Sequence, residues 1–180
     1  MMHKDCERIM LTEEQLRSRV KEIAEQVDKV YAGKRPLVVG ILKGSIIFYA
    51  DFIRHLTCPV ELDFMAVSSY GTGAVSSGKL KIKKDLDRDV KGRDVVIVED
   101  IIDSGFTLAN LKALLLERGA ASVMIVTLLN KAERREYDIA PDYNCFDIEN
   151  EFVIGYGLDY DEHYRSLPYI GILKRSVYEK

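Results

Sequence analysis

The apolar positions of this chain change their period several times, and each change marks an element. Between residues 12 and 32, Leu16, Val20, Ile23, Ala24, Val27, Val30 and Tyr31 recur at helical spacing. Thr12 with Gln15 forms a capping-box pattern, Leu11 can staple to Leu16, and Gly33 supplies a C-terminal stop. PLVVGIL (36 to 42) is a short β-branched run, and SIIFYADFIRHL (45 to 56) then switches to helical spacing, a β-α unit. VELDFMAVSSY (60 to 70) opens with the alternation of a strand, GTGAVSSG predicts a mobile loop, and KLKIKKDL (79 to 86) an exposed returning strand. DVVIVED (94 to 100) is the most apolar strand, TLANLKALLLERG (107 to 119) is helical with Gly119 as its cap, and ASVMIVTLLN (121 to 130) is a strand again. Strand, helix, strand in that order predicts a right-handed crossover and parallel pairing. CFDIEN, FVIGYGL and YIGILKRSVY read as short strands at the sheet's edge or in a small flanking layer. The pattern predicts an α/β fold: a mostly parallel twisted sheet flanked by helices.

Length and charge narrow the picture. The 180 residues suit one domain spanning 1–180. Lys and Arg total 26 against 29 Asp and Glu, net −3, so no overall basic field invites nucleic acid or a membrane surface. Cys6, Cys58 and Cys145 are too few and too widely spaced for a disulfide framework or a zinc site. MMHKDCERIM has no apolar h-region, and no run approaches the ~18 apolar residues of a membrane span, so a cytoplasmic setting is expected.

VVIVEDIIDSGFTL (95 to 108) carries the candidate chemistry. An apolar strand ends in Glu99, Asp100 and Asp103, which are costly to bury without water or a ligand. Ser104, Gly105 and Thr107 then lead into a helix, offering hydroxyls and first-turn amides that suit a phosphate without a lysine. Adjacent carboxylates suit sugar hydroxyls or Mg²⁺. An isolated D-x-G-x-T would more often be an ordinary cap with solvated acids. Gly73 to Lys79 satisfies G-x-x-x-x-G-K, but Leu80 replaces the metal-binding Ser/Thr and a strand pattern follows, so a Walker A loop is rejected.

The full string V-V-I-V-E-D-I-I-D-S-G-x-T-L resembles the phosphoribosyl-diphosphate (PRPP) signature of type I phosphoribosyltransferases, in the form found in the hypoxanthine-guanine branch. F-V-x-G-Y-x-L-D-Y-x-E-x-x-R (152 to 165) resembles the end of that branch's purine pocket. L-K-G-S after a strand, the Ser69–Tyr70 pair and Lys131 just past another strand are weaker matches in the expected order. The resemblance implies the family's fold, with a small hood region and a flexible loop. It also implies purine salvage: transfer of the 5-phosphoribosyl group from PRPP to hypoxanthine or guanine, giving IMP or GMP and diphosphate. Glu99, Asp100, Asp103, Ser104, Gly105, Phe106 and Thr107 would hold the PRPP phosphate and ribose, with only backbone contacts assumed at Phe106. Lys43 and Gly44, in a loop that often contains a cis peptide, would bind the diphosphate together with Arg165. Lys131 would donate to the 6-oxo group, Phe152 would stack on the base, the Val153 backbone would bond its edge, and Asp159 would close the pocket. Ser69 and Tyr70 would begin a lid loop, and Arg135 matches the pattern without a firm role.

Mg²⁺ is the implied cofactor, with Glu99, Asp100 and Asp159 as candidate ligands, and relatives form homodimers or homotetramers. Asp103 is the candidate catalytic residue, taking or sharing the purine N7 proton. A regulatory RNA-binding protein on the same fold would need a basic face, for which KLKIKKDLDRDVKGR is the sole candidate. A nucleotide binder without catalysis would release no diphosphate.

Overall fold

The computed structural model describes residues 2–69 and 80–179. Six strands form the main sheet: β2 (Leu37–Leu42), β3 (Glu61–Ser69), β4 (Leu80–Lys84), β5 (Asp94–Ile102), β6 (Ser122–Asn130) and β7 (Tyr143–Asp147). Their order is β4-β3-β2-β5-β6-β7, parallel throughout except for the antiparallel edge strand β4. A second, three-stranded antiparallel sheet, ordered β1-β9-β8, comprises β1 (Cys6–Leu11), β8 (Val153–Ile154) and β9 (Ile170–Leu173). This is the hood. The helices are α1 (Glu13–Val30), α2 (Ile46–Ile53), α3 (Phe106–Glu117) and the single turn α4 (Arg175–Tyr178).

Period-two alternation along the central strands builds two cores at once. Val96 and Val98 join Leu16, Val20, Ile23, Phe48 and Phe52 of α1 and α2 on one face. Val95 and Ile97 join Leu108, Leu111 and Leu115 of α3 on the other. β5 is therefore buried on both sides, as a near-continuous apolar run requires. Each of these aliphatic side chains contributes about 1.5–3 kcal/mol on burial.

Local signals hold where they are strongest. Gln15 donates its amide to Thr12 Oγ1 at 3.3 Å and its own Oε1 accepts the Thr12 amide at 2.9 Å, the reciprocal capping box. Three expectations need correction. The polar N-terminus contains strand β1, whose pairing with β9 comes from tertiary contact, since CERIML shows no alternation. YIGILKRSVY is a strand only to Leu173 and then turns into α4, and FVIGYGL is extended only over Val153–Ile154. Left-handed glycines at 155 (φ 95°) and 157 (φ 103°) end the latter run. Among the described residues no helix is long and apolar enough to cross a membrane.

Candidate active site

Strand order reverses between β2 and β5, because the chain moves from β2 outward to β3 and from β5 outward the other way to β6 and β7. In open α/β sheets such a switch point leaves a crevice beyond the strands' carboxyl ends. A cavity of about 350 Å³ lies there, lined by Ile41 and Leu42 of β2, Val67 and Ser68 of β3, and the continuous stretch from Glu99 to Leu108. A larger hollow of about 670 Å³ opens between α1, α2 and residues 165–168. It shares none of the loop residues and mixes Glu13, Arg17, Asp51 and Arg54 without focus, so the smaller cavity is the chemical one.

The phosphate loop is shaped by one glycine. Gly105 is the N-cap of α3 at φ 89°, with no side-chain cap on the helix. A Cβ there would stand 2.7 Å from Ile139 Cγ2 and 3.0 Å from Arg135 Cδ, so backbone conformation and space both demand glycine. First-turn amides have no intrahelical acceptors. The Phe106 amide reaches the Ser104 hydroxyl at 3.3 Å. From behind, the amides of Glu136 and Tyr137 donate to the Ser104 carbonyl at 2.9 and 3.1 Å, and the Phe106 and Tyr137 rings meet edge-on. Arg135, left without a role by sequence, is a brace: its Nη1 donates to the Ile139 carbonyl and its Nη2 to Asn130 Oδ1. Burial lowers its pKa.

Glu99 and Asp100 lie side by side at the end of β5, and the Asp100 amide donates to Glu99 Oε1 at 3.2 Å. Burial, and then the Asp100 charge, pushes the Glu99 carboxyl well above its usual range, and burial also raises Asp100. Like charges sharing a dry site disfavour their own ionisation, and a divalent cation would reverse that preference. Mg²⁺ typically takes one or two carboxylates and leaves its other positions to phosphate and water, so the Glu99–Asp100 pair fits it. Among the described residues no group of three or more His, Cys, Asp or Glu is placed to hold a metal, so Asp159 does not join the pair in such a cluster.

Across the crevice, the Leu42–Lys43 peptide is cis, one bond before the Lys43–Gly44 pair. A side chain at Gly44 would run into the Asp100 carboxylate, and one at Gly157 into the Gly44 carbonyl. Two glycines thus let the acids, the Lys43 loop and the hood turn touch. Arg165 Nη1 donates to the Gly157 carbonyl and pairs with Asp159 Oδ1, both at 2.9 Å, while its buried Nε has no hydrogen-bond partner. The Arg165 charge also favours the ionised form of Asp100, partly offsetting its burial.

On the base side, Lys131 is buried and its Nζ donates to the Glu151 carbonyl at 2.7 Å, one residue before Phe152. Burial lowers its pKa, opposed by the nearby Asp103 charge. Phe152 is 37% exposed, stacks on Tyr178 at 4.8 Å and meets Tyr160 edge-on. Val153 is buried in β8. Lys131, Phe152, Val153 and Asp159 do not line the 350 Å³ cavity; Lys131 is tied to it electrostatically through Asp103 and Asp159 through Arg165. Ser69 ends β3, while Tyr70 lies outside the described residues.

Sequence reasoning missed three participants. Arg134 Nε stands 3.1 Å from Asp103 Oδ1, off the angle of a hydrogen bond, so the pair is purely ionic. Tyr178 backs Phe152. Glu162 bonds Lys43 Nζ at 3.0 Å and Arg165 Nη2 at 3.1 Å, and these cations hold its carboxyl below its usual range. Its spacing to Arg165 was the available signal, but DYDEHYR reads equally as a solvated turn.

The phosphoribosyl transferase domain model matches residues 10–161, covering the whole main sheet and, of the hood, β8 and the last residues of β1. The chain is 51% identical over 180 residues, all of both chains, to the hypoxanthine-guanine phosphoribosyltransferase of Streptococcus thermophilus. The chain belongs to the hypoxanthine-guanine phosphoribosyltransferase family. The Bacillus subtilis member of that family is 51% identical over 179 residues, 99% of both chains. A crystal structure of the hypoxanthine phosphoribosyltransferase of Staphylococcus aureus superposes with a TM-score of 0.96 at 47% identity, covering 99% of this chain and 97% of that one. The fold of this phosphoribosyltransferase, hood included, is thus shared over nearly its whole length.

Proposed function

We propose that this phosphoribosyltransferase moves the 5-phosphoribosyl group of PRPP onto hypoxanthine or guanine, releasing diphosphate and forming IMP or GMP in purine salvage. The observation that carries the reading is the N-terminus of α3, left without a side-chain cap by Gly105, in one cavity with the Glu99 and Asp100 carboxylates at the sheet's switch point. Amides from Ser104 to Thr107 would hold the 5′-phosphate, which needs fixed donors and no cation of its own. Glu99 and Asp100 would accept the ribose hydroxyls and hold Mg²⁺, which when bound offsets charge on the diphosphate. Lys43, the Gly44 backbone and Arg165 would bind the leaving group.

Breaking the C1–diphosphate bond builds positive charge on the ribose, so stabilising the departing anion dominates the barrier. Phe152 would fix the base plane, with its rear face supported by Tyr178. Lys131, one proton committed to the Glu151 carbonyl, has two left for a 6-oxo group. A 6-amino purine would leave it opposite a donor, which rejects adenine. Asp103 would take the N7 proton as the bond to C1 forms, and the attack in line with C1 inverts that centre.

Purified protein given PRPP and Mg²⁺ with hypoxanthine, guanine, xanthine or adenine in turn tests activity and base choice together. Nucleotide and diphosphate should form in equal amounts with the first two bases and not with adenine. Base binding without diphosphate release would refute the reading.

A further inference from the structure

Lys43 and Arg165, the two cations assigned above to the diphosphate, come from distant parts of the chain, and a single carboxylate links them. Glu162 Oε1 bonds Lys43 Nζ at 3.0 Å, and Glu162 Oε2 pairs with Arg165 Nη2 at 3.1 Å. Each oxygen takes one cation, as one phosphoryl group of a bound diphosphate would.

Nothing in the turn leaves this to chance. The Glu162 amide donates to Asp159 Oδ2 at 2.9 Å. Asp161, Glu162 and Tyr164 all sit at positive φ, 49°, 62° and 76°, an arrangement that side chains other than glycine adopt only when the surroundings impose it. The Glu162 side chain is nevertheless 64% exposed, and that of Lys43 66%. The turn thus presents a carboxylate whose contact with Lys43 lies in water, where ion pairs are weak and exchangeable, while its Arg165 partner is 23% exposed.

We propose that Glu162 is an internal counter-ion, a positioning residue that holds Lys43 and Arg165 together between turnovers and competes with diphosphate for them. This rests on the reading of Lys43 and Arg165 as the diphosphate-binding pair. Two consequences follow from a competitor that cannot diffuse away. The cations stay gathered for the next PRPP, and diphosphate is released more readily because its place is taken at once. Asp159, the other acid on Arg165, does not reach Lys43 in this way; its oxygens engage Arg165 and the Glu162 amide.

The test is the inhibition constant of diphosphate against PRPP, with Mg²⁺ present, for wild type, E162Q and E162G. Glutamine keeps size and removes charge; glycine removes the side chain and suits the positive φ. Both should bind diphosphate about three- to tenfold more tightly, with KM for the base unchanged and the difference shrinking at high salt. E162D, which restores a carboxylate, should move back toward wild type. Unchanged or weaker diphosphate binding in both E162Q and E162G overturns the proposal, as does a change confined to KM for the base. K43A and R165K separate this from failure of the underlying reading. If they leave diphosphate inhibition unaltered, the site assignment itself is wrong; if they weaken it while E162Q and E162G do nothing, only the role of Glu162 falls.

Discussion

The loop after β5 and the hood turn from Tyr156 to Arg165 meet through Gly44, which packs against Asp100 on one side and Gly157 on the other, yet they solve opposite electrostatic problems. Around residues 99–107 charge is left unbalanced: the like-charged Glu99 and Asp100 stand together, Glu99 buried, and Gly105 gives α3 no side-chain cap. Around residues 156–165 the charges are mutually matched, with Arg165 bound to Asp159 and Glu162, and Lys43 bound to Glu162. The backbones differ in the same sense. The first region uses a single left-handed residue, Gly105; the second places Tyr156, Asp161, Glu162 and Tyr164 at positive φ beside Gly155 and Gly157. A loop built open depends on a ligand to complete it, whereas a turn built closed holds its groups in register beforehand at a conformational cost of about 1–3 kcal/mol for each strained residue.

The largest expected effect tests the open half. Asp103→Asn keeps size and removes the base, so kcat should fall about 10²- to 10⁴-fold with little change in KM for PRPP. Near-wild-type turnover would reduce Asp103 to a loop organiser and its ionic contact with Arg134 to a structural tie. A matched pair of glycine substitutions then compares the two halves directly. In Gly157→Ala the new Cβ meets the Gly44 carbonyl, a backbone atom that cannot swing aside, at a φ of 103°. Stability should drop by about 3 kcal/mol, read as a lower Tm. In Gly105→Ala the obstruction is an Ile139 methyl and the Arg135 stem, which can shift. Here the loss should be smaller, about 1–2 kcal/mol, and the main change a KM for PRPP raised about tenfold or more. Equal stability losses would mean that the two backbones are equally constrained.

The same contrast explains what the sequence made legible. Strand β5, the acids, Gly105 and α3 announce themselves because the hydrophobic period changes from two to 3.6 across a glycine, and each step has a residue-level signature. The parallel sheet follows from those alternations. Nothing comparable marks Asp161, Glu162 or Tyr164, since their positive φ is imposed by tertiary contacts such as the Asp159 carboxylate on the Glu162 amide. β1 escaped for a related reason: its partner, β9, is more than 150 residues away in the chain, and half of its own residues are exposed. Arg135 was visible as a residue but not as a brace, because its acceptors, Asn130 and the Ile139 carbonyl, are defined only once the segment folds back behind the phosphate loop.

The smallest effects give the sharpest comparison, because they should have opposite signs. Without Mg²⁺ or ligand, the raised pKa of Glu99 means that the folded state resists ionisation while the unfolded chain, near its usual 4.5, does not. Its contribution is therefore full below about that value and is lost as pH rises through the folded pKa. Glu99→Gln escapes this loss, so its Tm should exceed that of wild type by roughly 3–8 °C at neutral pH, about 1–2 kcal/mol, with the gap closing on acidification. Activity should fall at the same time, the usual exchange at a site that stores unpaired charge. Glu162 runs the other way. Its carboxyl is held below its usual 4.5, first by the Lys43 hydrogen bond and then by Arg165, so its contribution is present above that value and disappears as pH falls through the folded pKa. Glu162→Gln should be marginally less stable than wild type at neutral pH and indistinguishable from it in acid. Thermal melts of both variants from pH 3 to pH 8 would show two curves departing from wild type in opposite directions as pH rises; curves on the same side would mean that the hood turn, like the phosphate loop, waits for a ligand to balance its charge.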